Sequence, residues 1–234
     1  NLNYLREKSV DSIPEVLFRC DLDDLKLFCQ SSVKDKSGQT IDRMTEKHWL
    51  FLANLYNKTR TVIKFEETDY YALLKQVKKN AVVLKETDLE IVQRACELIS
   101  KKYNNSTVEF GFYHGDFTPW NTVIENGKIK VFDFEYAKRT YPPYLDAVHY
   151  LLQKNFFVDG LNDANQIYSS LKESSIWKKF DDRRSLEMVI MYLLEIINLY
   201  LSRTSEESLD EKSRQKIRIE ILEKAVTEYA NLSR

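Results

Sequence analysis

An Asn126-Gly127 pair between two short runs of alternating, β-branched residues constrains this chain more than any other feature. Thr122-Val123-Ile124-Glu125 precedes it, and Lys128-Ile129-Lys130-Val131-Phe132 follows. A two-residue turn between such runs needs positive φ at both central positions, which Asn and Gly adopt readily. Residues 122–132 are therefore expected to form a β-hairpin, and a hairpin returns the chain to the place it left. Asn121, just before it, and Asp133, just after it, then belong at one end. The segment leading in, His114-Gly115-Asp116-Phe117-Thr118-Pro119-Trp120-Asn121, adds a carboxylate on the preceding loop, and Asp133-Phe134-Glu135 leads out. A few hard oxygen ligands from Asn and Asp suit Mg²⁺ that is held partly by a substrate's phosphates. A further Asp beside them suits a group that orients or deprotonates a hydroxyl.

The order and spacing of these residues resemble the catalytic centre of the kinase superfamily. There an Asp-x4-Asn loop and an Asp-Phe-Gly-type metal motif flank a hairpin. Two departures, Gly115 where protein kinases carry Arg and Glu135 where they carry Gly, resemble the aminoglycoside phosphotransferase and choline kinase branch. Members of that branch phosphorylate hydroxyls of small molecules. The chain also lacks the Ala-Pro-Glu tripeptide that closes a protein kinase activation segment. Asp146, in Tyr144-Leu145-Asp146-Ala147, occupies the place of the family's Asp that holds the catalytic-loop backbone.

The resemblance implies an α+β, protein-kinase-like fold: a mostly helical large lobe with a catalytic β-hairpin, and a remnant of the small β lobe. Residues 1–33 would be that remnant and the hinge. Residues 34–234 would be the large lobe, with the catalytic loop at 114–121 and the metal loop at 133–135. It implies Asp116 as the catalytic residue, with Asn121 and Asp133 holding Mg²⁺ against the phosphates of ATP or GTP. Gln30, Ser31 and Ser32 would read the adenine edge, with Val123 and Phe132 as the floor of that pocket. Glu135 could serve a second metal or support the first. His114, Phe117, Trp120 and Phe134 fall to packing that fixes the loop. The implied activity is transfer of the γ-phosphate to a hydroxyl of a small polar molecule of aminoglycoside, amino alcohol or sugar type.

Part of such an enzyme is missing from the sequence. The five glycines (38, 111, 115, 127 and 160) form no Gly-x-Gly pair. The phosphate loop and strand lysine that the family places before its first helix have no counterpart. Lys64, in Val62-Ile63-Lys64, follows the expected hinge and so does not match. The chain opens at Asn1, and it is expected to be a fragment or processed product, incomplete as an enzyme. The gap motivates a second hypothesis, a catalytically inactive kinase-like binding or regulatory protein. A third, a carboxylate-metal hydrolase built on Asp116 and Asp133, would want more His or carboxylate ligands.

Composition narrows the partners. A net charge of −1 leaves no electrostatic footprint for a nucleic acid polymer. Three cysteines without metal spacing (Cys20, Cys29 and Cys96) fit buried thiols in a reduced, cytoplasmic protein. The apolar run from Met188 to Leu201 is interrupted by Glu195 and Asn198, which fits a core helix and no transmembrane segment. Residues 1–9 read as a helix end and 15–30 as a strand pair. Residues 45–56 read as a helix, and 61–64 as a strand. Thr87-x-x-Glu90 reads as a capping box opening a helix. Further helices are expected near 146–155, 162–173, 185–202 and 209–230. Acidic and aromatic candidates for the acceptor side are Trp49, Trp177, Asp181, Asp182, Glu187 and Glu195, each read more readily as a core or solvated position than as a site.

Overall fold

The computed structural model describes residues 1–22, 25–31, 40–203 and 209–232. Helix α1 (Leu2–Glu7) leads to an antiparallel pair, β1 (Val16–Leu22) and β2 (Leu25–Gln30). Helix α2 (Glu46–Thr59) opens on a capping box, in which the Thr45 backbone N–H donates to His48 Nδ1 at 3.1 Å. Strand β3 (Thr61–Lys64) pairs antiparallel with β4 (Thr107–Tyr113) across helices α3 (Asp69–Asn80) and α4 (Glu86–Tyr103). The hairpin strands are β5 (Thr122–Glu125) and β6 (Lys128–Val131), with Asn126 and Gly127 both at positive φ as the turn demands. Strand β7 (Lys138–Tyr141) then pairs with β4. Helices α5 (Leu145–Phe157), α6 (Ala164–Glu173), α7 (Ser175–Lys179), α8 (Asp182–Leu201) and α9 (Leu209–Asn231) complete the α+β fold.

The three-stranded sheet has the order β3-β4-β7, and this positions the site. Tyr113, the last residue of β4, lies opposite Lys138, the first of β7. The chain leaves the sheet at Tyr113, runs through the 114–121 loop and the hairpin, and re-enters at Lys138. Both acidic motifs are thereby confined to one end of one sheet.

Helix α8 is the axis of the core. Asp181 caps it, its side chain accepting from the Arg184 N–H at 2.8 Å, and residues 185–194 are all buried. A helix apolar all round must be enclosed, and α3, α4, α5 and α9 enclose it. The N-terminal segment is tied to the hairpin end. The Val131 N–H donates to the Ser12 carbonyl at 2.8 Å, and Asn1 Nδ2 to the Phe134 carbonyl at 2.8 Å. No helix among the described residues is long and apolar enough to cross a membrane.

Three expectations are corrected. Helix α4 starts at Glu86, after Lys85, so Thr87 lies inside the first turn and caps nothing. The chain passes from a 3₁₀ turn at Ala81–Val83 through the extended Leu84 and Lys85 into the helix, where Glu86 and Asp88 complement the helix dipole. Cys96 is buried, but Cys29 is exposed and Cys20 half-buried, because both sit on a two-stranded sheet without a third strand among the described residues. Trp120 is 43% exposed, packed edge-on against the equally exposed Phe157 and not within the loop's core.

Candidate active site

The loop after β4 is held by a buried carboxylate. Asp146, in the first turn of α5, accepts from the His114 N–H at 3.0 Å and from the Gly115 N–H at 3.1 Å. Burial pushes its carboxyl up to about 7, against the pull of these two donors. His114 is fully buried, and burial lowers its imidazole to about 4. A neutral ring has one donor and one acceptor. Its Nδ1 accepts from the Asp116 N–H at 3.1 Å, so the Nε2–H donates to the Phe132 carbonyl at 2.9 Å. One imidazole thus ties the Asp116 backbone to the residue before Asp133. Phe117 and Phe134 are buried against this ring, with Phe51 and Tyr150 behind Phe117, as expected of loop packing.

Gly115 adopts φ +86°, where an L side chain is strained. A Cβ there would stand 2.7 Å from the Tyr136 carbonyl oxygen, so the two acidic loops touch through a position that admits no side chain.

The Asp116 side chain is about one quarter exposed. Its Oδ2 accepts from Asn121 Nδ2 at 2.6 Å, and its Oδ1 lies 3.2 Å from His149 Nε2. Burial works to raise this carboxyl, but the His149 hydrogen bond and charge, then His114 and Asn121, outweigh it and leave it below the ordinary range. Asp116 is therefore an ionised, oriented carboxylate. Asn121 Nδ2 also donates to the Asp116 carbonyl at 3.0 Å, which turns the amide so that Oδ1 is the atom left for other partners.

The hairpin closes at its base through the Phe132 N–H, which donates to the Asn121 carbonyl at 3.2 Å. Asp133 follows at φ +69°, a left-handed turn that Asp tolerates better than most residues. It is exposed, and its carboxyl is raised by burial, by Glu135 and by Asp116. Mutual repulsion among three acids is the electrostatic setting that a divalent cation relieves. Among the described residues no three His, Cys, Asp or Glu side chains converge on a metal position of their own. A cation here would lean on Asn121, Asp133, phosphate oxygens and water.

Asp133 and Gln30 line one cleft of about 480 Å³, with Arg19, Phe28, Phe134 and Glu135. Val123 is buried, Phe132 is half-buried, and neither lines it. The Ser31 N–H donates to the Glu15 carbonyl at 2.7 Å, and its hydroxyl accepts from the Glu15 N–H at 2.8 Å, so that backbone donor is closed to a ligand edge. Ser32 lies outside the described residues.

A second cavity, about 290 Å³, opens beside Gly115 and is lined by Tyr113, Tyr136, Lys138, Tyr141 and Glu195. The Tyr113 hydroxyl bonds the Glu195 carboxylate, while Glu195 Oε2 is buried without a partner among the described residues. Burial pushes this carboxyl up to about 8. A folded pKa raised above the unfolded one means the folded state keeps its proton longer. The associated stability is full below about 4.5 and is lost as pH rises toward 8. Glu195→Gln is expected to melt closer to wild type at pH 5 and to gain on it by pH 8. A melting-temperature difference that stayed constant across that range would refute this.

Glu187, another acceptor-side candidate, is instead fully buried and paired with Lys102 at 2.5 Å. Trp49 is also buried, its indole N–H donating to Ser175 Oγ at 3.1 Å. Trp177 is partly buried against the core, and Asp181 and Asp182 stand exposed at the start of α8. His149, which contacts Asp116, was not among the residues singled out from sequence. Its signal was its place three residues after Asp146, on one face of a helix.

Comparisons of the chain with protein-family models, with curated proteins and with solved structures give no match, so the site is read from its own geometry.

Proposed function

We propose that this chain carries the catalytic centre of a phosphotransferase that moves the γ-phosphate of ATP or GTP to a hydroxyl of a small polar molecule. The reading includes a protein-kinase-like fold similar to the aminoglycoside phosphotransferase and choline kinase branch. The observation that carries it is the Asp116 carboxylate, ionised and held at both oxygens, at the mouth of the hairpin that brings Asn121 and Asp133 together.

Each residue has a distinct task. Asp116 accepts a hydrogen bond from the acceptor hydroxyl and takes its proton as the new O–P bond forms. The bond from the γ-phosphorus to the bridging oxygen breaks, and ADP or GDP leaves. Its value lies in placement, because phosphoryl transfer is mainly positioning and charge stabilisation. Asn121 Oδ1 and the Asp133 carboxylate would hold Mg²⁺, which when bound neutralises charge on the transferring phosphate. The cleft that holds Gln30 and Asp133 falls within the usual size range of small-molecule sites, ~300–1,000 Å³. The cavity beside Gly115 joins tyrosine rings to the Glu195 carboxyl and the Lys138 amine, and Asp116 is not among its lining residues.

Asp133→Asn tests the nucleotide side. In the natural full-length protein, Mg²⁺-dependent ATP and GTP binding measured by calorimetry is expected to weaken by at least about tenfold, the scale of one charge-assisted contact. Equal binding by wild type and variant would overturn the assignment of Asp133.

A further inference from the structure

Helix α5 presents two side chains to the catalytic loop. Asp146 and His149 are separated by three residues and so share a face. The first holds the loop's backbone at His114 and Gly115; the second reaches the side chain of Asp116. His149 is 3% exposed, and behind it the fully buried Tyr192 hydroxyl of α8 lies 3.0 Å from its Nδ1.

We infer that His149, held in place from behind by Tyr192, is a positioning residue for Asp116. This rests on the reading of Asp116 as the acceptor-side base. The hydrogen-bond inventory sets the direction of the relay. An ionised carboxylate has no proton to donate, so His149 Nε2 must carry one toward Oδ1. In a neutral ring Nδ1 then accepts from the Tyr192 O–H, and in a protonated ring the Nδ1–H donates to the Tyr192 oxygen; in both states Nε2–H points at Asp116. Tyr192 is suited to this: burial first of all keeps its hydroxyl protonated far beyond the ordinary range.

The consequence for Asp116 is geometric. Asn121 alone would hold Oδ2 and leave the carboxylate free to rotate about its last torsion. With His149 on Oδ1 both oxygens are held, and the remaining lone pairs keep one direction. The arrangement differs from a serine-hydrolase triad in polarity. Here the carboxylate is the more exposed member and the imidazole is buried behind it, so His149 acts through Asp116 without touching the acceptor.

The experiment compares His149→Leu, which removes the donor, with His149→Gln, which returns an N–H at similar reach. Two readouts are taken on the natural full-length protein: steady-state turnover, and titration of the Asp116 carboxyl by ¹³C NMR. His149→Leu is expected to lower kcat by about 10- to 100-fold, the scale of a hydrogen bond to a charged group. The nucleotide KM stays unchanged, and the Asp116 carboxyl titrates at higher pH. His149→Gln is expected to recover most of the rate. If His149→Leu does not fold, Tyr192→Phe replaces it, with the same upward shift of Asp116 and a several-fold loss of kcat.

A His149→Leu protein with wild-type titration and kcat within about twofold overturns the inference, as does a folded His149→Gln as slow as His149→Leu. The failures separate. If Asp116→Asn is inactive while His149→Leu changes nothing, the positioning role falls and the phosphotransferase reading stands. If Asp116→Asn turns over normally while His149→Leu still shifts the Asp116 titration, the function falls and the hydrogen bond stands.

Discussion

Asp116→Asn in the natural full-length protein is expected to cut kcat by about 10²–10⁴, the usual worth of a positioned base or hydroxyl-orienting group. The nucleotide KM is expected to stay within about twofold of wild type. The reason is where the residue stands. Asp116 belongs to the loop before the hairpin, and its carboxylate is engaged by Asn121 and His149. On the proposed function its loss removes an interaction made as the acceptor reacts, and a change of that kind lowers kcat without loosening the ground state. The substitution is nearly isosteric. The oxygen of the introduced amide can still accept from Asn121 or from His149, though not from both. Steady-state kinetics beside a melting curve decide the matter. An Asp116→Asn protein that melts normally and turns over within tenfold of wild type would leave the mechanism without its acceptor-side residue.

The second large effect is structural. Asp146→Ala deletes the acceptor of two backbone N–H groups, the buried one of His114 and the half-buried one of Gly115. The buried His114 donor alone costs about 1–3 kcal/mol when orphaned, and the half-buried Gly115 donor adds to it. For a chain of this size each kcal/mol moves Tm by ~2–4 °C, so a fall of at least ~2 °C is expected. Asp146→Asn should lie between the two proteins, because an amide has one oxygen and its nitrogen cannot accept. Thermal melts of the three proteins give the order directly. An alanine variant as stable as wild type would show that the loop does not need this carboxylate.

Much of the site was legible because its signals are local. The Asn126-Gly127 turn depends on the φ preferences of two residues, and it set the hairpin with its pairing from Thr122↔Val131 to Glu125↔Lys128. The apolar run beginning at Met188 depends on hydropathy alone, and it became the buried helix α8. The place of Asp146 came from the family resemblance, and the structure shows its carboxylate on the loop backbone.

What was not legible depends on packing between distant segments. Thr87-x-x-Glu90 has the letters of a capping box, but the extended N-cap position falls at Lys85 and the helix begins at Glu86. Trp120 has the hydropathy of a core residue, but the core beside it was filled by Phe117, leaving Trp120 on the surface with Phe157. Ser31 lost its free N–H to Glu15 when β1 and β2 paired. His149 needed α8 to bring Tyr192 behind it, 43 residues further along the chain.

By itself the sequence determined which short segments turn, extend or coil, and that Asn121 and Asp133 share one end of a hairpin, because those outcomes follow from neighbouring residues. The tertiary structure decided that Asp116 is held at both oxygens, that Gly115 must be bare against the Tyr136 carbonyl, and that Glu195 faces a cavity. A hydrogen bond spanning tens of residues or a close backbone approach is set by how whole helices and strands pack, and no local propensity encodes that distance.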